Sequence, residues 1–398
     1  MNSSNKSWAS QFAGSEPKSR MVYDGAGVSF TLKESGRLGR GKEATVYAVP
    51  GIDGIAVKLW HPEIAKNADA IGKARKRLSS MLAFDGLKSL DAVAWPRDAV
   101  YDKQGHVIGY VMKRLRGTHS LYSLFYGDAG VIATFPKCAN RLFLAKVARE
   151  YVRSILELQD LGVTLSDFNP KNVLLSEANG EPRLEFLDCD SMQFTDLYGK
   201  VFHSVAHVKA YLAPEQFEPR ALELPRTNSS SEFSAALVVF AILTMGGSPY
   251  TYVEASDGSV MGSVEDNLKK GLCGLGGNND AAKLPPHLFA QVHEMTYGLK
   301  ALFIRWFKDG HSNRAARPQL RQLARELDKF IYVLGQDRSR LPLVPKSVEK
   351  RQWIKPQPAV TPYYGPKPFR PGPCKGWHPR AFQGRGPLRT NRHPFPQY

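Results

Sequence analysis

Apolar and polar residues alternate in short stretches from Val28 to Trp60, and these stretches are rich in Val, Thr, Tyr and Phe and broken by glycines. Alternation with a period of two is typical of strands, and glycines mark the turns between them. This part of the chain is therefore predicted to form a sheet of antiparallel hairpins. The pattern also predicts a helix over 63–84 and a further strand at His106–Met112.

After Gly117 the spacing becomes helical. Between Leu142 and Leu161 the apolar side chains form two helical rows: Val147, Tyr151, Ile155 and Leu158, and Leu144, Ala148, Val152 and Leu156. Such rows give one broad apolar face, and Gly162 is a typical helix end. We expect a packed helix here.

Two short strands, Asn172–Leu175 and Arg183–Asp188, follow this helix, with Asn179 and Gly180 at the predicted turn between them. More helices are expected over 231–335. The most apolar run, Ala235–Met245, is about 11 residues long, whereas a membrane span needs roughly 20. It is predicted to be a buried core helix, and no membrane insertion is expected.

Charge is distributed unevenly along the chain. The 398 residues are 42% hydrophobic, which excludes disorder throughout, and carry a formal net charge of +17. Residues 341–398 contain 11 Lys and Arg against one acid, together with 13 of the 27 prolines. We expect this end to be an extended, solvated tail.

Cysteine usage and the first residues bear on the compartment. Four widely spaced cysteines are too few for a disulfide framework, which favours a reducing environment. Residues 1–20 are polar and Ser-rich, without the apolar core of a secretory signal. We expect a flexible leader and a cytoplasmic protein.

A glycine-containing turn and a lysine suggest a phosphate site in the predicted sheet. Gly39 and Gly41 lie between two strands, and Lys58 lies on the next apolar strand. Glycines let the backbone approach a polyphosphate, and a neighbouring lysine neutralises its charge. The alternatives are a tight hairpin and a solubility charge, although apolar neighbours on both sides of Lys58 disfavour the latter.

A second group of polar residues follows the long helix. Asp167 and Asn172 flank one loop that leads into a strand, and Asp188 ends the partner strand. One carboxylate can accept a hydroxyl proton while an amide and another carboxylate hold a divalent cation. As an alternative, these residues are turn formers and caps.

Taken in order, these motifs resemble the protein kinase family over about residues 30–335. The string from Asp188 to Gln193, together with the SDFNPKN loop, is most similar to a bacterial branch with DxDSFQ in place of DFG. The resemblance implies an α+β, two-lobed protein kinase-like fold with a small antiparallel β lobe and a larger helical lobe. It implies a leader at 1–20, an N-lobe at 21–115, a C-lobe at 116–336 and a disordered basic, Pro-rich tail at 337–398.

The resemblance also implies ATP and Mg²⁺ as cofactors and transfer of phosphate to Ser or Thr of a protein substrate. Lys58 and Asp167 match the catalytic residues, and Asn172 and Asp188 match the metal ligands. The nucleotide would be bound by these residues: Gly39, Gly41, Val46, Ala56, Lys58, Met112 and Leu115. Arg317 is similar to the arginine that pairs with the glutamate of the APE motif, here Glu215.

Several positions depart from the family pattern. Ala44 replaces the third glycine, Leu165 and Ser166 stand where His and Arg precede the catalytic Asp, and Ser231 stands where an aspartate usually anchors the loop. Activity is therefore expected to be independent of activation-loop phosphorylation. Asn169 occupies the place of a catalytic-loop lysine, and Lys171 is a candidate substitute.

The acid that should pair with Lys58 is not identifiable. Residues 72–80 contain four basic residues and no acid, while Glu63 and Asp69 lie nearer the start of the predicted helix. An unpaired lysine positions phosphates poorly. This leaves open a nucleotide-binding pseudokinase that acts as a scaffold through its tail.

The tail suggests partners of its own. Two PxxP matches, Pro342–Pro345 and Pro368–Pro371, would suit an SH3-like groove. Aromatic residues interleaved with Arg and Lys could instead stack on single-stranded nucleic acid or bind another polyanion, or fold back over the preceding domain. The sequence does not choose among these.

Overall fold

The computed structural model describes residues 19–343, except 89, 126, 128–133, 136–139, 252, 255–261 and 276–281. The tail, and the predictions that concern it, lie almost entirely outside these residues, as do residues 1–18. Within them, a mainly antiparallel sheet is followed by a helical region, as the sequence patterns predict.

Seven antiparallel strands form the first sheet, in the order β2-β1-β6-β7-β5-β4-β3. Their bounds are β1 Ser19–Tyr23, β2 Ser29–Lys33, β3 Arg37–Arg40, β4 Ala44–Ala48, β5 Ile55–Trp60, β6 Pro96–Tyr101 and β7 Val107–Lys113. Strand β5 lies between β4 and β7, which places Lys58 inside the sheet.

The hairpin of β1 and β2 forms one edge of this sheet and pairs with β6. Val22 and Leu32 from the hairpin are buried in a small cluster with apolar residues of the other strands and of the turn after β4: Tyr47, Val49, Val57, Leu59, Val100 and Ile108. The sequence pattern placed the first strand at Val28 and a flexible leader up to residue 20. That boundary is wrong, because Ser19 and Arg20 belong to β1 and pair with Lys33 and Leu32.

Two helices replace the single helix predicted over 63–84. These are α1 Pro62–Lys66 and α2 Ala68–Leu82. The chain breaks at Asn67, whose side chain accepts a hydrogen bond from the Ala70 N–H at 3.0 Å and so caps α2.

The remaining helices are α3 Leu121–Phe125, α4 Arg141–Asp160, α5 Asn228–Leu243, α6 Val264–Lys270, α7 Pro286–His293, α8 Tyr297–Ile304, α9 Gly310–Ser312 and α10 Leu320–Gln336. The predicted packed helix is α4, with Asn140 as its N-cap. Helix α5 contains most of the apolar run 235–245 and is buried along nearly its whole length, so the prediction of a core helix is confirmed. Among the described residues, no helix combines the length and the apolar character that crossing a membrane requires.

Short strands arrange the loops between the helices. They are β8 His119–Ser120, β9 Val163–Thr164, β10 Val173–Ala178, β11 Glu181–Phe186, β12 Gln193–Thr195, β13 Val201–Phe202, β14 Val253–Glu254 and β15 Ala282–Lys283. The predicted hairpin is formed by β10 and β11, in register from Val173 with Phe186 to Ala178 with Glu181. Its turn residues Asn179 and Gly180 have φ of 55° and 77°, which suits a two-residue hairpin turn. This register brings Asn172 and Asp188 to the same end of the hairpin.

Candidate active site

Lys58 lies at the centre of the site and makes two ion pairs. Its Nζ is 3.0 Å from Asp188 Oδ1 and 2.9 Å from Asp190 Oδ2. The side chain is only 15% exposed. Burial alone would lower the pKa of Lys58, but the nearby carboxylates, Asp190 before Asp188, outweigh it and raise this pKa well above its usual value. Lys58 is therefore a fixed cation.

Asp190 is the acid that the sequence pattern failed to identify. Besides Lys58, it accepts a hydrogen bond from the Tyr110 hydroxyl at 2.5 Å. Burial would raise the pKa of Asp190, yet Lys58 and the Tyr110 hydrogen bond hold it below the usual value. Of the two acids that the sequence offered, Asp69 pairs with Lys73 at 2.7 Å and Glu63 is exposed at the start of α1.

Helix α2 contributes a basic side chain, Arg77, to this region. Arg77 donates hydrogen bonds to the backbone carbonyls of Met192 and His203. Its guanidinium carbon also lies 5.4 Å from the ring centroid of Phe194 and 5.9 Å from that of Phe202. Arg77 therefore binds the chain that follows Asp190, over both strands of the β12–β13 hairpin.

Asp167 and Asn172 meet at the start of β10. Asn172 Nδ2 donates to Asp167 Oδ2 at 3.1 Å, while Oδ1 of Asp167 is buried and has no hydrogen-bond partner among the described residues. Burial, together with the charge of Asp188, raises the pKa of Asp167. The Leu187 N–H donates to the Asn172 carbonyl at 2.9 Å. This bond joins the residue that precedes β10 to the residue that follows β11. A carboxylate with a free, desolvated oxygen is well suited to accept a proton.

The two loop residues beside Asp167 have other contacts. Asn169 accepts a hydrogen bond from the Lys171 N–H at 3.1 Å and caps the turn. Lys171 Nζ lies 4.5 Å from the ring centroid of Tyr122 on α3. The candidate substitute for the missing loop lysine is thus engaged with an aromatic ring.

A buried arginine that sequence reasoning missed lies near Asp167. Arg226 donates to Gln216 Oε1 at 2.6 Å, and its guanidinium carbon is 5.8 Å from the ring centroid of Phe168. Burial lowers the pKa of Arg226 to about 10, although the charges of Asp167 and Glu215 favour its protonated form. Arg226 lies in no recognisable motif, so no signal in the sequence marks it.

The APE-like residues pair as the resemblance implies. Arg317, with a side chain 2% exposed, donates to both carboxylate oxygens of Glu215, at 2.8 and 2.7 Å. Burial would raise the pKa of Glu215, but Arg317 outweighs it and lowers this pKa to about 2. The pair closes the segment that begins at Asp188.

The glycine turn is free of packing constraints. A Cβ at Gly39 would meet no atom within 4 Å, and one at Gly41 would lie 3.6 Å from the nearest oxygen, the Ala44 carbonyl. Neither residue has a positive φ. Nothing within the described chain therefore requires glycine here, which favours a role in contact with a ligand.

His61 fixes the far side of this turn. Its ring nitrogens lie 2.9 Å from Thr45 Oγ1 and 3.1 Å from the Lys42 carbonyl, and its backbone N–H donates to the Glu43 carbonyl at 2.8 Å. The glycine turn is thus attached to His61, the residue that directly follows β5.

The predicted adenine-side residues line the inner face of the sheet and the following loop. Ala56 and Met112 are buried opposite each other on β5 and β7, and Val46 and Leu115 are half-buried against the same core. Beyond them, Glu185 Oε2 accepts hydrogen bonds from the N–H groups of Arg116 and Gly117, at 2.9 and 2.6 Å. This carboxylate fixes the chain as it leaves the sheet.

Asp167, Asn169, Asn172, Asp188 and Ser191 line one small cleft together with apolar residues: Tyr151, Leu165, Phe168, Val173, Phe186 and Met192. Within the described part of the chain, no group of three His, Cys, Asp or Glu residues forms a metal site by itself. One carboxylate and one amide, completed by phosphate oxygens, are nevertheless a donor set that Mg²⁺ accepts. The residues fit a site for Mg²⁺ bound together with a nucleotide.

The chain is similar to bacterial proteins that are named protein kinases. No protein-family model matches the chain. Protein kinase YegI of Escherichia coli strain K12 is 27% identical over 235 residues, which are 58% of this chain and 34% of that protein. Serine/threonine-protein kinase PkaA of Streptomyces coelicolor is 26% identical over 205 residues, or 51% of this chain and 34% of PkaA. The chain spans about a third of the length of these curated relatives.

A solved structure is similar in fold. The ROP18 kinase domain, in complex with AMP-PNP and sucrose, matches with a TM-score of 0.52 at 17% identity, over 80% of this chain and 86% of that chain. The predicted α+β, kinase-like fold is confirmed by this match.

Proposed function

Because the chain has the protein kinase-like fold and is related to bacterial protein kinases, we propose that it is an active, Mg²⁺-dependent kinase that transfers phosphate from ATP to Ser or Thr hydroxyls of a protein. The observation that carries the proposal is the convergence of Lys58, Asp167, Asn172 and Asp188. The chain brings them together from β5, from the loop before β10 and from the open end of the β10–β11 hairpin. There Lys58 hydrogen-bonds Asp188, and Asn172 hydrogen-bonds Asp167.

The roles follow from the positions. Lys58, buried and protonated, binds phosphate oxygens, and Gly39 and Gly41 let the turn above approach them. Asn172 donates its amide N–H to Asp167, which leaves its carbonyl oxygen free. This oxygen and Asp188 would hold Mg²⁺. Bound Mg²⁺ would neutralise phosphate charge. Asp167 accepts the proton of the substrate hydroxyl at Oδ1.

The substrate class rests on the relatives. PkaA is named a serine/threonine-protein kinase, whereas YegI is named a protein kinase without that specification. The preference for Ser and Thr therefore has the support of one relative. The ROP18 kinase domain was solved with AMP-PNP, which supports ATP as the nucleotide proposed here.

Transfer of radiolabelled γ-phosphate from ATP to generic protein substrates, and to the chain itself, tests the proposal. Asp167→Asn should lower the rate at least about 100-fold, the usual loss on removing a general base. The affinity for Mg²⁺ and AMP-PNP, measured by titration calorimetry, should stay close to wild type.

The matched control is Asp160→Asn, which removes an exposed carboxylate at the end of α4 whose partner is Arg321. This control should transfer phosphate at the wild-type rate. Equal labelling by the Asp167 variant would contradict the assignment of the base.

The pseudokinase alternative was suggested by the missing acid opposite Lys58. Asp190 provides that acid at 2.9 Å, so the alternative loses its main support. It would be favoured again if Mg²⁺ and AMP-PNP raised the melting temperature while the wild-type chain transferred no phosphate.

A further inference from the structure

The protein kinase family, to which the motifs are similar, pairs the phosphate-binding lysine with a glutamate from a helix of the small lobe. The corresponding helix here is α2. Its described acid, Asp69, pairs with Lys73, and Arg77 reaches the segment after Asp190 instead. Lys58 therefore takes its partner from another element.

That partner is Asp190, three residues beyond Leu187 at the end of the hairpin. It contacts Lys58 at 2.9 Å and is held by the Tyr110 hydroxyl from β7, the residue directly opposite Lys58 in the sheet. Two elements thus fix the carboxylate from both sides. A residue held in this way can fix the lysine in turn.

Lys58 also contacts Asp188, the proposed metal ligand, at 3.0 Å. A lysine with Asp188 as its one acidic partner would compete with Mg²⁺ for the same carboxylate. A second acid removes this conflict, because Lys58 stays paired when Asp188 binds the metal. Asp190 is positioned to do this.

We propose that Asp190 positions Lys58 in place of a helix glutamate and thereby leaves Asp188 available for the metal. The inference rests on the proposed kinase function. It makes Asp190 a positioning residue, since it acts through Lys58 and does not itself touch the reacting atoms. Asp190, the lysine partner, and Asp188, the proposed metal ligand, then belong to one short segment. Their positions are therefore fixed together, and no acid from α2 is needed.

The experiment compares Asp190→Asn and Asp190→Glu with Asp69→Asn and Glu63→Gln, which remove the two acids that the sequence offered. Mg²⁺ is titrated at a fixed AMP-PNP concentration, and binding is followed by the rise in melting temperature. In Asp190→Asn, Lys58 has only Asp188 as an acidic partner and competes with Mg²⁺ for it. The Mg²⁺ concentration that gives half of the maximal rise in melting temperature should therefore increase about tenfold, which corresponds to about 1.4 kcal/mol. The two control variants should match wild type.

Kinetics provide the second readout. In Asp190→Asn the kcat should fall by roughly 100-fold, as expected for misplaced reacting groups, with a smaller change in the KM for ATP. Asp190→Glu restores the charge and should recover part of both losses. A purely structural role would change the melting temperature of the free protein but not the Mg²⁺ requirement.

Tyr110→Phe serves if Asp190→Asn does not fold. It removes the hydroxyl that holds Asp190 and keeps the ring, so it should shift the Mg²⁺ requirement in the same direction and by less. Wild-type Mg²⁺ dependence and kcat in the Asp190 variant, or in Tyr110→Phe where that variant does not fold, would overturn the inference. If the wild-type chain transferred no phosphate, the kinase proposal would fail while the Mg²⁺ titration still tested the role of Asp190.

Discussion

Two serines occupy buried positions where the kinase pattern has an arginine and an aspartate. Ser166 is fully buried and Ser231 is 1% exposed, and neither hydroxyl has a hydrogen-bond partner among the described residues. A buried charge without a partner costs several kcal/mol. A small neutral side chain at each position leaves no buried charge to be paired, so these two departures are compatible with a stable fold.

Arg226 supplies positive charge near the proposed base, and this leads to a pH prediction. The charge of Arg226 lowers the pKa of Asp167, against the larger raising effects of burial and Asp188. Arg226→Gln should therefore raise the pKa of Asp167 further. A base with a higher pKa is protonated at higher pH, so as pH falls the rate should be lost earlier than in wild type.

The measurement is kcat/KM against pH, which reports on the free enzyme. Arg226→Lys keeps a positive charge and is the matched control, whose acid limb should stay near that of wild type. Superimposable profiles for the Gln variant and wild type would show that Arg226 does not act on Asp167.

Sequence motifs identified the residues with fixed spacing, such as Asp167 with Asn172, because one loop and one hairpin set their separation. Asp190 was visible in the DxDS string but not as the partner of Lys58. That ion pair joins residues more than a hundred positions apart, and only the tertiary fold brings them together. Arg226 could not be identified from the sequence either, because its role depends on its burial near Asp167 in the folded chain.

At the scale of elements, helix α2 and the β12–β13 hairpin are joined by Arg77. One guanidinium bonds two carbonyls from separate parts of the segment, Met192 and His203, and packs against aromatic rings of both strands. Kinases that require phosphorylation create such anchoring with a phosphate and an arginine. Here the arginine binds the backbone directly.

Arg77→Ala should therefore detach the segment from Met192 to His203 from helix α2. We expect cleavage of residues 193–208 by a limiting amount of protease to become at least several-fold faster, because opening frees backbone that is now hydrogen-bonded. The kcat should fall as well, since Asp188 and Asp190 begin the same segment. Lys73→Ala, which removes an exposed base of the same helix, is the control and should leave both measurements unchanged.

A companion set of variants tests whether phosphorylation is needed. Thr195→Ala, Tyr198→Phe and Ser204→Ala together remove hydroxyls of the segment, and they should leave kcat within about twofold of wild type if Arg77 suffices. A large loss of kcat in the triple variant, together with a large rise in kcat when the wild-type chain is phosphorylated, would contradict this expectation.

Element existence followed well from pattern, whereas element junctions did not. Helix α4, the core helix α5 and the β10–β11 hairpin all appear where periodicity placed them. The break at Asn67 depends on a single cap, and β1 depends on pairing with β2 and β6. Neither a single cap nor strand pairing produces a periodic pattern in the sequence. The pattern therefore predicted one helix over 63–84 and a leader that extends to residue 20.

At the scale of the whole molecule, the described chain ends in contact with the helical region. Arg141, at the start of α4, donates to the carbonyls of Arg340 and Pro342 at 2.8 and 3.0 Å, and Leu343 is buried. Residues up to 343 therefore belong to the packed fold, although the resemblance implied a tail from 337. All 11 basic residues counted after 340 lie at or beyond Lys346.

This difference allows the tail to be tested apart from the catalytic region. A chain ending at residue 345 should keep the melting temperature and the basal kinase activity of the full chain, because every described contact remains. A chain ending at residue 339 loses the acceptors of Arg141 and the burial of Leu343. It should be destabilised by about 2 kcal/mol or more, as expected for a buried apolar side chain and unpaired polar groups.

The chain ending at 345 also tests whether the tail binds polyanions, one of the alternatives that the sequence left open. It lacks 11 basic residues and one acid, so its formal net charge falls by ten from +17. Binding of the full chain to a fluorescent single-stranded oligonucleotide should weaken steeply as salt rises, since each neutralised phosphate releases counterions. The truncated chain should bind at least about tenfold more weakly at low salt, with a flatter slope. Equal binding by both chains would assign the affinity to residues before 346. Binding of an SH3 domain to the full chain that does not depend on salt would favour the SH3-like partner instead.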